Sequence, residues 1–195
     1  MITIQKGLPI ELTSSAADLF LKAFGSKFFP ILGRGEKTKK LIESSLNINN
    51  CISALENGEL VGILAIQEKN KSFVDISFSN IKSKYGFIKG LIKAVLLSMF
   101  IYKPGDNEFY IEGVAVTDSV QGKGIGTRLI NELFSKALNE GIKTITLEVT
   151  NTNAEARSLY ERLGFRIEKS SSMWPVNKMI GWPFSEVSKM NKPIG

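Results

Sequence analysis

Apolar and polar residues recur along the chain with two different periods, which predicts helices and strands in alternation. Residues 126–139 place their apolar side chains on one helical face, and Gly141 follows as a stop signal. Residues 145–149 alternate one for one between apolar and polar side chains, which predicts a strand. Another strand is predicted over 109–116, before that helix. Interleaved helices and strands are typical of a mixed α/β layer architecture.

Turn and cap residues divide the rest of the chain into shorter elements. Asn57-Gly58 separates two strands within 51–66 as a hairpin turn, because both residues tolerate positive φ. Asn153 and Gly164 bound a helix over 154–163. Weaker patterns predict a helix from Ser14 that Gly25, Pro30, Gly33 and Gly35 interrupt, a helix over 36–46, an extended segment over 73–78, a helix over 85–102, and strands over 165–169 and 184–190.

The composition is that of a globular protein. Of the 195 residues, 43% are hydrophobic and 23% charged, which suits one domain with a substantial core. The formal net charge of +6 favours acidic partners and phosphorylated ligands, and it equally fits an ordinary basic surface. The N-terminus has no signal-peptide pattern, and the longest apolar run, 91–102, is too short to span a bilayer. We therefore expect a cytoplasmic protein without a membrane span.

The chain contains no histidine, and Cys51 is its only cysteine. These counts exclude Ser-His-Asp and Cys-His nucleophilic systems and remove the usual ligands of a zinc site, so no metal is expected. Cys51 lies in an apolar strand and is predicted to be a buried small hydrophobe. Acid–base chemistry must then come from Asp, Glu, Tyr, Lys or bound water.

A glycine-rich loop, residues 121–127, stands between a predicted strand and the helix over 126–139. Glycines let the backbone approach a ligand closely, and a helix N-terminus offers free N–H groups and a favourable dipole to an anion. The loop should therefore hold a phosphate or pyrophosphate. Neither the P-loop spacing nor the dinucleotide fingerprint fits, because the glycines fall at alternate positions.

The loop instead resembles the Q/R-x-x-G-x-G/A signature of the GNAT acetyltransferase superfamily. The likeness extends to the strand before it, 111–116, and to a later segment, 150–165, which is similar to the N-x-x-A…Y-x-x-x-G-F form of the family. The resemblance implies the GNAT fold: a mixed central sheet of about six to seven strands, flanked by helices and splayed between its two central strands. It also implies one domain over 1–195, with a helical insertion around 81–103.

The resemblance implies acetyl-CoA as the acetyl donor. Backbone N–H groups of the loop would hold its pyrophosphate, and its pantetheine would lie in the gap where the strand at 114–116 leaves the strand at 147–149. For Lys123 the expected role is at most a weak phosphate contact. The residues assigned to acetyl-CoA on this basis are Val114, Ala115, Val116, Gln121, Gly122, Lys123, Gly124, Ile125, Gly126, Thr127, Asn153 and Tyr160.

Two catalytic residues are predicted. By the resemblance, Tyr160 is the general acid that protonates the departing CoA thiolate; it shares a helix face with Asn153, seven residues away. Glu112 is the best general base for the acceptor ammonium, and the two-residue period of a strand places it on the face of Val114 and Val116. A substrate-binding or solvent-facing Glu112 fits equally well, and Glu108 and Tyr110 are alternatives.

The insertion, residues 81–103, carries five lysines, no acidic residue and many large apolar side chains. Such an apolar helix needs a cover, which could be the core of the domain, a second copy in a homodimer, or a membrane surface. The first two are favoured, because no clean polar face is visible. The acceptor pocket could be walled by this insertion, by 24–32, or by 173–184, where Trp174, Trp182 and Phe184 are candidates.

The predicted function is N-acetylation of a primary amine on a small molecule or protein, by direct transfer in a ternary complex. The alternative is a GNAT module that binds acyl-CoA as a regulatory ligand and transfers nothing. Nucleic-acid binding is not expected, because no helix gathers basic and aromatic residues on one face. The acceptor amine stays open.

Overall fold

A computed structural model describes all residues, 1–195, and its seven strands form one sheet. The sheet order is β1-β2-β3-β4-β5-β7-β6, and only β4 and β5 run parallel to each other. The strands are β1 (Ile2–Lys6), β2 (Cys51–Glu56), β3 (Glu59–Glu68), β4 (Glu108–Val116), β5 (Thr144–Thr150), β6 (Arg166–Ser172) and β7 (Glu186–Pro193).

Helices cover both faces of this sheet. They are α1 (Thr13–Leu32), α2 (Glu36–Glu43), α3 (Phe78–Tyr85), α4 (Phe87–Ser98), α5 (Ile125–Asn139), α6 (Ala154–Arg162) and α7 (Val176–Ile180). On one face, α5 and Tyr160 of α6 pack into the largest apolar cluster. On the other face, α1 forms a second cluster with β2 and β3. A third cluster joins the end of α1 to α2, α3 and Trp182. The mixed sheet with flanking helices confirms the predicted fold class.

The central strands β4 and β5 separate after a short paired stretch. Their register runs from Glu108↔Thr144 to Ile111↔Leu147 and stops there. Strand β4 continues to Val116 while it pairs with β3, and β5 continues to Thr150 while it pairs with β7. The gap therefore opens where the sequence predicted it, between 114–116 and 147–149.

A β-bulge on β4 corrects the predicted orientation of Glu112. The pairing with β3 passes from Ala65↔Gly113 to Ile66↔Ile111, so Glu112 is an extra residue without a partner. Such an insertion inverts the alternation of side chains that follow it. Val114 and Val116 pack on the α5 side, whereas Glu112 lies on the α1 side, beside Phe24. The prediction that Glu112 shares a face with Val114 and Val116 was wrong.

Local signals located several elements correctly. The hairpin turn at Asn57 and Gly58 has positive φ at both residues. Helix α6 begins after Asn153, whose side chain accepts a hydrogen bond from the Ala156 N–H at 3.1 Å, and Gly164 follows the helix with φ +88°. Each of these signals acts within a few residues, so no distant contact is needed to satisfy it.

The N-terminal region differs from its prediction. Helix α1 runs unbroken through Gly25 and Pro30 to Leu32, where Gly33 ends it. The ring of Phe29 occupies the space that a Cβ at position 25 would need, and Pro30 falls in the last turn. Burial of one long apolar face outweighs these two weak helix formers. Strand β1 and helix α7 were not predicted, since each is only five residues long.

The insertion also differs from its prediction. The helix predicted over 85–102 is the shorter α4, Phe87–Ser98, and an unpredicted helix, α3, precedes it; Gly86 separates the two with φ +79°. The segment 73–78 makes one isolated bridge, Leu46↔Val74, before Ser77 caps α3. Helix α2 ends at Glu43, β6 extends to Ser172, and β7 begins at Glu186. These ends depend on packing that sequence periodicity does not contain.

Candidate active site

The glycine loop presents a set of unpaired backbone donors. A short 3₁₀ turn, Asp118–Val120, anchors it through buried Val120, and α5 begins at Ile125 without a side-chain cap. The N–H groups of Gly122, Gly124, Ile125, Gly126 and Thr127 donate no hydrogen bond within the protein. Unpaired donors of this kind, together with the helix dipole, favour an anion such as a phosphate or pyrophosphate.

Gly122 and Gly124 are the two residues of this loop whose backbone conformation favours glycine. Both have φ +76°, and a Cβ at either position would meet nothing within 4 Å. Gly126 has no such φ; a Cβ there would come within 3.6 Å of Leu159 and 3.9 Å of Val114. The open space above 122 and 124 leaves room for a ligand close to the backbone, and this fits the phosphates of acetyl-CoA. The side chains of Gln121 and Lys123 are exposed, while that of Ile125 is buried in the core.

The gap between β4 and β5 supplies a second feature that fits this ligand. Beyond Ile111, β4 has β3 on one side and no strand on the other, so its outward backbone groups lack partners at Val114–Val116. An extended chain with amide groups, such as pantetheine, can pair with them as an added strand does. The loop opens next to this gap, because Val114 lies 3.9 Å from the position of a Cβ on Gly126.

Tyr160 lies on the α5 side of the sheet and is 7% exposed. Its ring packs edge-on to Phe165, with 5.8 Å between centroids. Burial raises the pKa of its phenol to about 12. The hydroxyl makes no hydrogen bond within the protein, yet it is not among the fully buried unpaired atoms, so it keeps some access to solvent. A protonated phenol in this position can donate a proton to a group in the gap.

Glu112 lies on the opposite side of β4, directly after the last β4–β5 pair. Its Oε1 accepts a hydrogen bond from the Phe73 N–H at 3.0 Å, and its Oε2 accepts one from the Val74 N–H at 3.3 Å. Burial raises the pKa of the carboxyl to about 7, against the lowering effect of these N–H groups and of Lys27. A base with such a pKa exchanges protons readily near neutral pH.

The two alternatives to Glu112 are engaged elsewhere. Glu108 accepts hydrogen bonds from the Tyr102 hydroxyl at 2.7 Å, from Thr146, and from the Gly105 N–H at 2.9 Å. Burial raises the pKa of Tyr110 well above its usual value, so the phenol keeps its proton and cannot act as a base. Tyr110 stacks on Tyr102 with 4.3 Å between ring centroids, which is a packing role.

A cavity of about 500 Å³ lies on the α1 side of the sheet, next to Glu112. Its walls come from α1, the segment 69–76, α3, α4 and β4, and 13 of its 22 lining residues are hydrophobic. Cavities of roughly 300–1,000 Å³ with few polar groups are typical of small-molecule sites. The insertion and the segment 24–32 both line this cavity, and their role as walls of the acceptor pocket stays a prediction.

The segment 173–184 does not line the cavity. Trp182 and Phe184 stack at 5.5 Å and are buried in the third apolar cluster, while Trp174 is 71% exposed. The three aromatics therefore contribute nothing to the wall of this cavity, because Trp182 and Phe184 pack in the third cluster and Trp174 faces solvent. Lys27, by contrast, lines the cavity and was not singled out. A lysine inside the apolar stretch of α1 was the available signal.

Other chemistries find little support in the described chain. Burial raises the pKa of Cys51 to about 12, so its thiolate is inaccessible near neutral pH. No cluster of three or more His, Cys, Asp or Glu side chains could hold a metal ion. None of the helices combines the length and apolarity needed to cross a bilayer.

Comparison with known proteins identifies the family. A model of the acetyltransferase (GNAT) family matches residues 17–165. The chain is 28% identical over 112 residues, 57% of its length and 70% of the relative's, to the uncharacterized N-acetyltransferase YvbK of Bacillus subtilis. It is 29% identical over 119 residues, 60% of its length and 80% of the relative's, to the [ribosomal protein bS18]-alanine N-acetyltransferase of Escherichia coli.

Solved structures agree on the fold. The ribosomal-protein-S18-alanine N-acetyltransferase of Escherichia coli superposes with a TM-score of 0.58 at 19% identity, over 100% of this chain and 95% of that one. A GNAT-family acetyltransferase of Streptococcus pneumoniae does so with a TM-score of 0.60 at 18% identity, over 100% of both chains. With a family match over more than half of its length, this chain belongs to the acetyltransferase (GNAT) family and is an acyltransferase.

Proposed function

We propose that this chain acetylates a primary amine by direct transfer from acetyl-CoA in a ternary complex. One observation carries the proposal: two side chains with raised pKa, Tyr160 and Glu112, lie on opposite faces of the sheet, and Glu112 directly follows the last pair of β4 with β5. This arrangement suits a reaction that removes one proton and supplies another. One domain over 1–195, a cytoplasmic location and a homodimer stay predictions.

The loop and the strand gap would bind the donor. The free N–H groups of 122–127 would hold the pyrophosphate, and the outward backbone of Val114–Val116 would pair with pantetheine. Asn153 already uses its side-chain oxygen to cap α6, so only its side-chain N–H₂ is free for a contact. Bound acetyl-CoA supplies an activated thioester, and everything else in the mechanism comes from the chain.

Glu112 would act as the base. An amine arrives protonated at neutral pH and cannot attack a carbonyl until it loses that proton. A carboxylate with a pKa of about 7 can take the proton directly or through one water. The hydrogen bonds from Phe73 and Val74 hold the carboxylate in place, and Glu112 lines the cavity from which an acceptor would approach it.

Tyr160 would act as the acid. As the acceptor nitrogen forms a bond to the acetyl carbon, the carbon–sulfur bond breaks and the leaving sulfur needs a proton. The Tyr160 hydroxyl stays protonated far above neutral pH and has no competing acceptor within the protein. Direct transfer is favoured over an acyl-enzyme because Cys51 is buried and histidine is absent.

The test has two parts. Calorimetry should detect binding of acetyl-CoA and much weaker binding of NAD and ATP. A panel of amines is then assayed for acetyl-CoA-dependent release of the CoA thiol. Turnover of at least one amine supports the enzyme, whereas tight acetyl-CoA binding without turnover of any amine would favour the regulatory module. Binding of NAD in preference to acetyl-CoA would contradict both.

A further inference from the structure

We propose that the acceptor is a free α-amino acid with an apolar side chain, whose carboxylate binds Lys27. This inference rests on the proposed function and names the substrate class of the same site. It draws on three features of the cavity beside Glu112, namely an unpaired ammonium, a carboxylate and an apolar wall.

The ammonium of Lys27 has no hydrogen-bonding or ion-pair partner in the protein. It forms no hydrogen bond and no ion pair, and it lies 5.3 Å from the centroid of the Phe100 ring. Burial lowers the pKa of this lysine, although the carboxylates of Glu148 and Glu112 act against that effect. An enclosed charge without a hydrogen-bonded partner is costly, and an anionic ligand group would remove the cost.

Glu112 lines the same cavity and has the opposite charge when ionised. The two side chains influence each other's pKa, yet they do not approach closely enough to form an ion pair. A ligand can therefore stand between them. An α-amino acid carries its ammonium and carboxylate on adjacent atoms, so the ammonium can face Glu112 while the carboxylate faces Lys27.

The rest of the cavity selects an apolar side chain. Phe20, Phe24, Phe28, Leu97 and Phe100 contribute apolar surface around these two charges. Lys69 and Lys103 also line the cavity and add positive charge, which disfavours polycationic acceptors such as polyamines. A peptide N-terminus is a poorer match than a free amino acid, because it carries an uncharged amide where Lys27 would meet a carboxylate.

The test compares three acceptors that share one ring and one amine: L-phenylalanine, L-phenylalaninamide and 2-phenylethylamine. We expect L-phenylalanine to have the highest kcat/KM, by about 10- to 100-fold, which is typical of a hydrogen bond to a charged group. Lys27→Met should abolish this preference by slowing L-phenylalanine, while 2-phenylethylamine changes little. Lys40→Met, which removes an exposed lysine from α2, should leave the preference intact.

The possible outcomes test the acceptor inference and the proposed function separately. If the two analogues without a carboxylate react as well as L-phenylalanine, or if Lys27→Met preserves the preference, the acceptor inference is wrong while the acetyltransferase proposal stands. Turnover of other amines without turnover of any of these three would also overturn it. If no amine is acetylated at all, the proposed function itself fails.

A separate observation concerns the outward surface of α4, here called the α4 outer face. Six large apolar side chains on it are between 46% and 74% exposed: Phe87, Ile88, Leu91, Ile92, Val95 and Met99. They follow helical spacing along α4 and continue one residue past its end. Exposed apolar patches of this extent mark interaction surfaces. The core covers only the inner side of this helix, where Leu97 and Ala94 pack.

We infer that the α4 outer face binds the surface of an anionic lipid bilayer. Residues 81–103 hold five lysines and no acidic residue, and Lys82 and Lys89 are exposed beside this face. In a two-fold contact between copies, the lysines of one copy would face the same surface of the other copy, which offers no acidic residue from 81–103 to pair with them. Protein interfaces are enriched in Tyr, Trp and Arg and depleted in Lys, unlike this face. Aliphatic and Phe side chains flanked by lysines are instead typical of helices that lie on anionic membranes.

Vesicle sedimentation tests this surface. Wild type should bind vesicles of phosphatidylcholine mixed with phosphatidylglycerol, bind pure phosphatidylcholine weakly, and dissociate as salt rises. Ile88→Glu should weaken binding about tenfold or more, since it replaces a fully lipid-facing apolar side chain. Ile10→Glu is the matched control, because Ile10 is equally exposed but lies far along the chain, before α1. Equal binding by Ile88→Glu, or no binding by wild type, would overturn the inference. A wild-type dimer that Ile88→Glu dissociates would assign the face to a second copy instead.

Discussion

Replacing Glu112 by Gln should change how the stability of the fold depends on pH. The carboxyl has a pKa of about 7 in the folded protein, chiefly because of burial, against 4.5 for an unperturbed glutamate. That difference corresponds to roughly 3 kcal/mol, at about 1.4 kcal/mol for each pH unit. Because the Glu112 side chain is still partly exposed to solvent, this value is an upper estimate.

The sign follows from which state holds the proton. Between pH 4.5 and about 7 the folded state keeps it and the unfolded state has released it, so rising pH favours unfolding. The wild-type free energy of unfolding should therefore fall by up to roughly 3 kcal/mol across this window, relative to Glu112→Gln, and stay level above it. The amide can accept from only one of the Phe73 and Val74 N–H groups, but this loss does not depend on pH.

Urea unfolding at a series of pH values measures the effect as the difference between wild type and variant. Glu59→Gln, at the exposed hairpin turn, controls for the loss of one surface charge. A difference that stays constant from pH 4.5 to 8 would refute the claim that burial holds the proton on Glu112. In the same window, kcat/KM of wild type should rise with pH through about 7, and Glu112→Gln should lose that dependence together with most of its activity.

Three further substitutions test the rest of the site. Tyr160→Phe should lower turnover by about 10²- to 10⁴-fold without changing acetyl-CoA affinity, and undiminished turnover would remove the phenol from the mechanism. Gly124→Ala should weaken acetyl-CoA binding by roughly tenfold in calorimetry, because φ +76° is strained for alanine. The control is Gly33→Ala, which has φ +86° but lies outside the loop. An equal loss of binding in both variants would argue against a loop effect. Gly113→Ala should raise the acceptor KM, since its Cβ would lie 2.2 Å from the Phe24 ring and push that ring into the cavity. An unchanged acceptor KM would place the acceptor elsewhere.

The sequence by itself determined the features that depend on neighbours along the chain. The glycine loop, the start of α5, the turn at Asn57-Gly58 and the Asn153 cap are all local, since each is satisfied within one or two turns of backbone. The family pattern adds the separation of β4 from β5, because the loop after β4 and the helix after β5 were recognisable in order. These features were enough to predict the fold class and the donor site.

Only the tertiary structure determined the surroundings of Glu112 and the shape of the proposed acceptor cavity. The face on which Glu112 lies depends on a bulge in the pairing of β4 with β3. The alternation of side chains along the sequence does not show where such an extra residue falls. The persistence of α1 through Gly25 and Pro30 depends on its packing against β2, β3 and β4, and Trp182 donates a hydrogen bond to the Lys27 carbonyl, 155 residues away in the chain. Lys27 can be recognised as a candidate binding residue only in the folded protein, where α1 packs beside β4. The role of an ammonium depends on the charges and the cavity around it. Long-range packing sets these positions, and local propensity is too weak to oppose it.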